Sequence, residues 1–282
     1  MSPDSGALLA RKTWRTVEPL HGMIYFVPEA TEAYASLGIT GRAGYFASRA
    51  APMGAVTAEV VVATFFNFNP DLVRAAIPRA WGITTPDALV NARLAAVDGA
   101  LRRVLGNDVL ASGSMARAAE LARNVAETAG TQMEGRPLSA AHADLPWPDP
   151  SHLVLWHAQS ILREYRGDGH VALLLTHGLS GIDALVTHVA AGDAASDILR
   201  STRGWSGEQW GAAVSSLQER GWLAEGDDVA FTEWGAAQRQ EIEDQTDILA
   251  AAPYAALGEE GCAELRTLTR PWSTTFADLL FR

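Results

Sequence analysis

The chain has 282 residues, of which 48% are hydrophobic, and its formal net charge is −11. This length suits two or three domains, and the acidic charge weighs against DNA and anionic membrane surfaces as partners. Cys262 is the only cysteine, no signal-peptide pattern is present and no apolar run reaches the roughly 18 residues of a membrane span, so we expect a cytoplasmic protein without disulfides or membrane contact.

Alanine and leucine at helical spacing dominate the chain up to residue 202, and the alternation typical of strands is scarce. Two of the predicted helix starts have a capping residue before a proline, Thr85 before Pro86 and Asp149 before Pro150. The pattern predicts helices at Ala10–Glu18, Glu29–Leu37, Arg42–Arg49, Ala58–Phe66, Pro70–Ala76, Pro86–Leu105, Ser114–Thr131, Pro150–Tyr165, His170–His177, Gly181–Ala190 and Ala194–Thr202.

Three short sequence markers recur in the same order and at nearly the same offset. They are Asp87–Val90 with Asp183–Val186, Gly41-Arg42 with Gly135-Arg136, and Pro52 with Pro146. Self-similarity at a fixed spacing indicates copies of one supersecondary unit. We therefore expect two helical repeats, residues 1–105 and 106–202, packed about a pseudo-twofold axis with a shared seam.

After residue 203 the pattern changes to helix, hairpin and helix. A predicted helix, Gly204–Arg220, is followed by two short apolar strands around the turn Glu225–Asp228, and then by a polar helix, Glu233–Leu249. This order is typical of a winged helix with a small two-stranded hairpin. The sequence thus predicts a mainly α protein, a tandem-repeat helical bundle followed by a winged-helix domain at 203–255 and a helical tail at 256–282.

The C-terminal region resembles the second half of MarR-like winged-helix domains. The residues that carry this resemblance are Leu217–Leu223, Phe231–Gly235 and Gln238–Asp247.

Nearly the whole chain is similar to an actinobacterial helix-turn-helix family with an α-helical N-terminal part. The basic residues are almost all arginines, with Lys12 as the only lysine, and this composition agrees with an actinobacterial source. The matching stretches are Glu18–His21, Tyr45–Gly54, Gly135–Pro148 and Arg163–His170. The resemblance implies a fold rather than an activity, and the MarR-like module implies a homodimer.

The charge of the predicted winged helix makes DNA an unlikely partner. Residues 196–250 contain four arginines and eleven acidic residues. The turn Glu225–Asp228, where a wing would approach the minor groove, is acidic. Proteins that bind DNA neutralise several phosphates with lysine and arginine. We therefore expect this module to pack as a lid, a dimer contact or one wall of a pocket.

His157 and Glu164 are the candidate catalytic residues, because they share one stripe of the predicted helix Pro150–Tyr165. At about 100° per residue, this stripe lies between an apolar face and a solvated face. A histidine near a carboxylate can carry out general acid–base catalysis. The alternative is a boundary stripe whose side chains hydrogen-bond a neighbouring helix.

A further set of aromatic and cationic residues has the composition of a small-molecule pocket. The candidate substrate-binding residues are His21, Tyr25, Phe26, Tyr45, Arg49, Trp156, Arg163 and His170. Ordinary helical packing is the alternative for most of them, and the polar turn Arg163–His170 also suits a helix stop at its two glycines. We expect no metal site, because the histidines lack helical pairing and no cysteine cluster exists, and no cofactor, because no dinucleotide fingerprint is present.

Two interpretations of the function remain open from the sequence. The first is a small-molecule-binding protein, in its most concrete version a cofactor-free enzyme, with a pocket between the helical repeats and the winged helix. The tryptophans near this junction favour an apolar or aromatic ligand; they are Trp147, Trp156, Trp205, Trp210 and Trp222. The second is a ligand-responsive transcriptional regulator or protein-interaction scaffold of the MarR-like type. A buried pocket with converging polar groups would favour the first, and a basic surface or a large exposed apolar patch the second.

Overall fold

The computed structural model describes residues 3–280, and α-helices account for most of this part of the chain. The N-terminal half contains α1 (Pro3–Gly22), α2 (Pro28–Ser36), α3 (Arg42–Ala50), α4 (Ala58–Phe65), α5 (Pro70–Ala76), α6 (Pro86–Leu105), α7 (Asn107–Leu110) and α8 (Gly113–Ala129). The C-terminal half contains α9 (Pro137–Ala143), α10 (Ser151–Thr176), α11 (Gly181–Ala190), α12 (Ser196–Arg203), α13 (Gly207–Glu219), α14 (Glu233–Ala251) and α15 (Gly258–Leu280). Short 3-10 segments are Met23–Tyr25, Ala51–Met53, Arg79–Gly82 and Ala252–Ala256. The predicted mainly α class is confirmed.

Side-chain caps explain where several of these helices begin. Thr85 accepts a hydrogen bond from the backbone at the start of α6, as its position before a proline predicts. Ser180 of α11 and Ser206 of α13 form capping boxes with the side chains three residues further on. At α10, by contrast, Pro150 occupies the capping position and no side chain caps the helix.

The 26-residue helix α10 runs through the larger of two cores and packs against α1, α6, α8, α9 and α14. The expectation of a helix stop at Gly167 and Gly169 is wrong, because both residues lie inside α10. The guanidinium of Arg136 passes so close to Gly169 that a Cβ there would lie 2.7 Å from Nη1. Gly169 therefore makes room for a packed arginine, and the helix continues through it.

A smaller core holds the C-terminal third together. Its apolar side chains come from the end of α10, from α11, α13 and α14, and from the segment between the last two. Helix α12 contributes no buried residue and is joined to α13 by Gly204–Ser206. A short glycine-containing connection between two helices is typical of a helix-turn-helix. The expected boundaries at residues 105, 202 and 255, and the internal repeat, stay predictions.

The prediction of a winged helix with a two-stranded hairpin is wrong. In the described residues between α13 and α14, a single isolated bridge pairs Leu223 with Phe231, and no strand forms. Two backbone hydrogen bonds join the arms, from Ala224 to the carbonyl of Ala230 and from Thr232 to that of Trp222, and the pairing extends no further. The side-chain amide of Gln218 donates to the carbonyls of Ala224 and Gly226, and Thr232, at the end of the return arm, becomes the N-cap of α14. The mainly α protein therefore carries a tight loop where a wing was expected.

None of the helices within residues 3–280 is, by itself, long and apolar enough to cross a membrane. Helices α10 and α11 together reach the length and composition of a span, but the chain bends by 96° between them.

Candidate functional site

Two adjoining cavities open between α3, α10 and the C-terminal end of α12. The first, which we call the charged cavity, has a volume of about 390 Å³, and the second, the aromatic cavity, about 480 Å³. Both volumes fall in the range of ligand pockets. Four side chains line both cavities, namely Tyr45, Phe68, Arg163 and Arg203. We refer to the two cavities around these shared residues as the central cleft.

A buried ion pair between Arg49 and Glu164 forms the floor of the charged cavity. Arg49 Nη2 lies 2.8 Å from Glu164 Oε2, and Arg49 Nε lies 3.2 Å from Oε1, so the pair is bidentate. Arg49 also donates to the hydroxyl of Tyr45 at 3.1 Å and stacks over the ring of Phe65. Burial alone would raise the pKa of Glu164, but the charges of Arg49 and Arg163 lower it to about 2. Glu164 is therefore a stable carboxylate at neutral pH.

Arg163 connects this ion pair to the opposite wall of the cleft. Its Nε donates to Glu18 Oε1 of α1 at 2.7 Å, and its Nη1 donates to Glu164 at 3.4 Å. Its guanidinium also lies over the ring of Tyr25. Arg163 is thus neutralised by two carboxylates, and it fixes α10 against α1 at the boundary between the two cavities.

Aromatic rings form most of the wall of the aromatic cavity. Tyr45 has its ring centroid 5.3 Å from Tyr25, 5.4 Å from Phe46 and 5.4 Å from Phe68. Phe26 also lines this cavity and is 64% exposed. Offset and edge-to-face contacts of this kind stabilise a rigid apolar surface. The cleft therefore presents a preformed aromatic surface beside charged groups.

Arg203, the last residue of α12, lines both cavities and has no acidic partner among the described residues. It is half-buried and stacks over Phe68, with its guanidinium carbon 4.8 Å from the ring centroid. Its side chain donates to Thr202 Oγ1 at 3.1 Å, while its buried Nε has no partner. Burial lowers the pKa of Arg203. No carboxylate of the described residues lies within ion-pair distance of it. No local sequence pattern singles out Arg203, because only its position in the fold distinguishes it from other arginines.

The segment after α4 attaches the turn between α12 and α13 to the rest of the cleft. Asn69 donates from its backbone N–H to the carbonyl of Arg203 and from its side chain to that of Gly204, both at 2.9 Å. The indole of Trp205 donates to the carbonyl of Asn67 at 3.0 Å. Phe66, at the start of the segment, has a φ of +54°, which is a strained value for a residue other than glycine. The position of this turn is therefore coupled to a tightly held loop beside the cleft.

The predicted catalytic pair is not joined by a hydrogen bond or an ion pair in the described residues. The carboxylate of Glu164 contacts the two arginines, while His157 packs edge-on against Trp147, with ring centroids 4.8 Å apart. His157 Nε2 is buried and has no partner. Burial lowers the pKa of His157 to about 4, so the ring is neutral at physiological pH. The assignment of these residues to catalysis stays a prediction.

Six of the eight candidate binding residues line the central cleft, and the other two lie outside both of its cavities. The six are Tyr25, Phe26, Tyr45, Arg49, Arg163 and His170. The other two are His21 and Trp156, whose rings stack with centroids 5.3 Å apart, and neither imidazole nitrogen of His21 has a partner.

His170 lies at the other end of the charged cavity. It shares a hydrogen bond of 2.9 Å with Thr246 of α14. Nearby, Asp168 accepts the backbone N–H groups of Leu138 and Ser139, and burial raises its pKa to about 6. In the described part of the chain, no group of three or more His, Cys, Asp or Glu side chains is arranged to hold a metal ion.

Comparison with known proteins gives one match. The model of a helix-turn-helix family matches residues 10–280. No curated protein and no solved structure matches the chain significantly.

Proposed function

Because this chain belongs to a helix-turn-helix family, we propose that it is a ligand-responsive regulator. In this proposal the central cleft binds an aromatic small molecule with an acidic group. Binding of this molecule adjusts the turn between α12 and α13. The proposal retains the apolar or aromatic ligand expected from the sequence and adds the anionic group. In the same proposal the protein is cytoplasmic, actinobacterial and a homodimer.

The observation that carries the proposal is the guanidinium of Arg203, which lies in an aromatic pocket without an acidic partner. Three arginines line the aromatic cavity, Arg42, Arg163 and Arg203, but Glu18 is its only carboxylate and is bonded to Arg163. Arg42 donates to a backbone carbonyl at Ser201. A partly desolvated arginine without a counter-ion gains from a carboxylate, which it can bind in a bidentate manner. The aromatic walls supply the apolar contacts for the rest of the ligand.

The position of Arg203 supports a regulatory role for this ligand. Arg203 ends α12, and the three residues after it, Gly204–Ser206, connect α12 to α13. A ligand that binds Arg203 on one side and Tyr45 on the other contacts both α12 and α3. A ligand shifts an equilibrium only through differential contacts with its two states. These contacts give the ligand a means of favouring one position of α12 and α13.

The exposed face of α13 is better suited to binding a protein than to binding DNA. The exposed face of α13 contains Glu208 and Glu219 but no lysine or arginine. Such a surface does not neutralise phosphates. A basic surface of a partner protein, or of a second copy of this chain, is the better match.

The catalytic interpretation has less support from the geometry. Glu164 is held as a carboxylate by two arginines, and its pKa of about 2 makes it a weak base. The ion pair is better suited to fixing α3 against α10.

The proposal is tested by replacing Arg203. Isothermal titration calorimetry would compare benzoate, salicylate and indole-3-acetate with their neutral amides. We expect a carboxylate of this panel to bind more tightly than its amide, and R203Q to weaken carboxylate binding about tenfold or more, as expected for the loss of a charge-assisted hydrogen bond. The control is R200Q, one turn earlier on α12 and outside both cavities, which should change the affinity less than about twofold. Equal binding of acids and amides, or an unchanged affinity in R203Q, would contradict the proposal.

A further inference from the structure

A third, smaller cavity lies between α3, α6, α9 and α10, and none of its lining residues lines the central cleft. Its volume is about 60 Å³. Its lining includes Arg93 of α6, His142 of α9 and His157 of α10, together with Ser48 and Trp156. The side chains of Arg93, His142 and His157 are each only 3% exposed. The cavity therefore concentrates nitrogen-bearing side chains in the interior, where unpaired polar groups are costly.

Arg93 is a buried cation without an acidic partner. Its Nη1 donates to the carbonyl of Ser48 and its Nη2 to the hydroxyl of Tyr25, both at 3.2 Å. Its guanidinium lies 5.3 Å from the ring centroid of Trp156. Its Nε is buried and has no partner, and no carboxylate in residues 3–280 lies within ion-pair distance of it. Buried charges in proteins are normally paired, so the positive charge here is not compensated by the chain.

The two histidines leave further donors available at the same cavity. Nε2 of His142 and Nε2 of His157 are both buried without a partner. Burial lowers the pKa of His142 to about 3 and that of His157 to about 4, so both rings are neutral at physiological pH. A neutral imidazole carries one N–H, which can be on Nε2. Together with Arg93 Nε, the lining thus offers up to three N–H groups and one positive charge.

We infer that this cavity binds a small trigonal oxyanion of the carboxylate or nitrate type, held by Arg93, His142 and His157. Such an anion supplies the missing negative charge and accepts from all three nitrogens. The volume admits an ion of three or four heavy atoms and excludes an aromatic ligand. Water molecules would also fit, since one needs roughly 10–15 Å³, but they would leave the charge of Arg93 uncompensated. The site is separate from the central cleft, because Arg42 and Arg203 do not line it.

The experiment is a titration of the full chain with sodium formate, acetate and nitrate at pH 7, with sodium chloride keeping the ionic strength constant. Long-range nitrogen–proton NMR correlations of the histidine rings would report binding, and H142Q and H157Q would assign the two signals. We expect a saturable shift of both signals with at least one of the three anions. R93Q should weaken binding at least tenfold, or about 1.4 kcal/mol. H157Q, which retains a polar group near the cavity, should weaken it less than R93Q does.

A matched control is H188Q, because His188 lies on α11 outside this cavity, and its replacement should leave the affinity unchanged. Should R93Q fail to fold, H142Q and H157Q carry the test, and both must then weaken the anion affinity at least threefold. The inference is overturned if none of the three anions shifts the two signals, which would mean that the cavity holds water. It is equally overturned if folded R93Q binds the anion as tightly as the wild type.

Discussion

Replacing Glu164 with alanine should destabilise the protein by about 3–5 kcal/mol, because it leaves the charge of Arg49 buried without a partner. Glu164 is 2% exposed and bonded to Arg49 through both oxygens. Arg163 retains Glu18 and is affected less. The measurement is the free energy of unfolding from urea denaturation, in the wild type and the variant.

Two further variants separate the loss of a partner from the loss of the pair itself. The double variant R49M/E164L removes both charges and fills similar volume, so it should recover most of the stability lost in E164A. The exposed pair Arg74–Glu59 supplies the control, and E59A should change stability little. The interpretation of Glu164 as the anchor of the cleft would be refuted if E164A and wild type unfolded at the same urea concentration.

Stability should fall steeply as the pH is lowered from about 7 to 5, because buried neutral histidines become protonated on unfolding. Burial lowers the pKa of His142 to about 3 and of His157 to about 4, and it also lowers the pKa values of His21 and His170. The contribution of these histidines to the free energy of unfolding is complete above the pKa of histidine in the unfolded chain, about 6.5. It is lost as the pH falls towards the lower pKa values of the folded state. At pH 5 His142, His157 and His170 each take up about one proton on unfolding, which corresponds to about 1.4 kcal/mol per pH unit for each. Asp168 changes the stability in the opposite direction, because its raised pKa of about 6 favours the folded state at lower pH.

The test of this prediction is the slope of unfolding free energy against pH, measured without added oxyanions. H142Q should reduce the slope by about the contribution of one proton. The control is S36A, an exposed position whose side chain does not titrate, and its slope should match that of the wild type. A pH-independent stability between 7 and 5 would show that these histidines are not buried as neutral groups.

The sequence predicted the helices better than the segments between them. Caps and prolines define helix starts through local contacts, and Thr85 and the serine caps of α11 and α13 are of this kind. The prediction of a hairpin was wrong because strand formation depended on a few backbone hydrogen bonds. The side chain of Gln218 donates to two of the carbonyl groups concerned. The glycines of α10 were misread as a helix stop because the packing of Arg136 has no local signal.

In the candidate site, too, the sequence predicted individual residues better than the contacts between them. Tyr45, Arg49, Arg163 and Glu164 stand out in the sequence as polar or aromatic residues on apolar helices, and all four line the charged cavity. Their partners could not be deduced, because Arg49 and Glu164 are 115 residues apart. Arg93 and Arg203 were missed for a related reason. Whether an arginine lacks a counter-ion depends on the whole fold.

The central claim is that a ligand held by Arg203 controls the turn between α12 and α13. It is tested most directly by hydrogen exchange of the backbone amides in residues 201–209, with and without an aromatic carboxylate selected by titration and added at its wild-type Kd. The account predicts that the ligand slows exchange in this segment in the wild type and in R200Q, and that the slowing is several-fold smaller in R203Q at the same ligand concentration. Binding that leaves exchange in this segment unchanged in the wild type, or slows it equally in R203Q, would contradict the account.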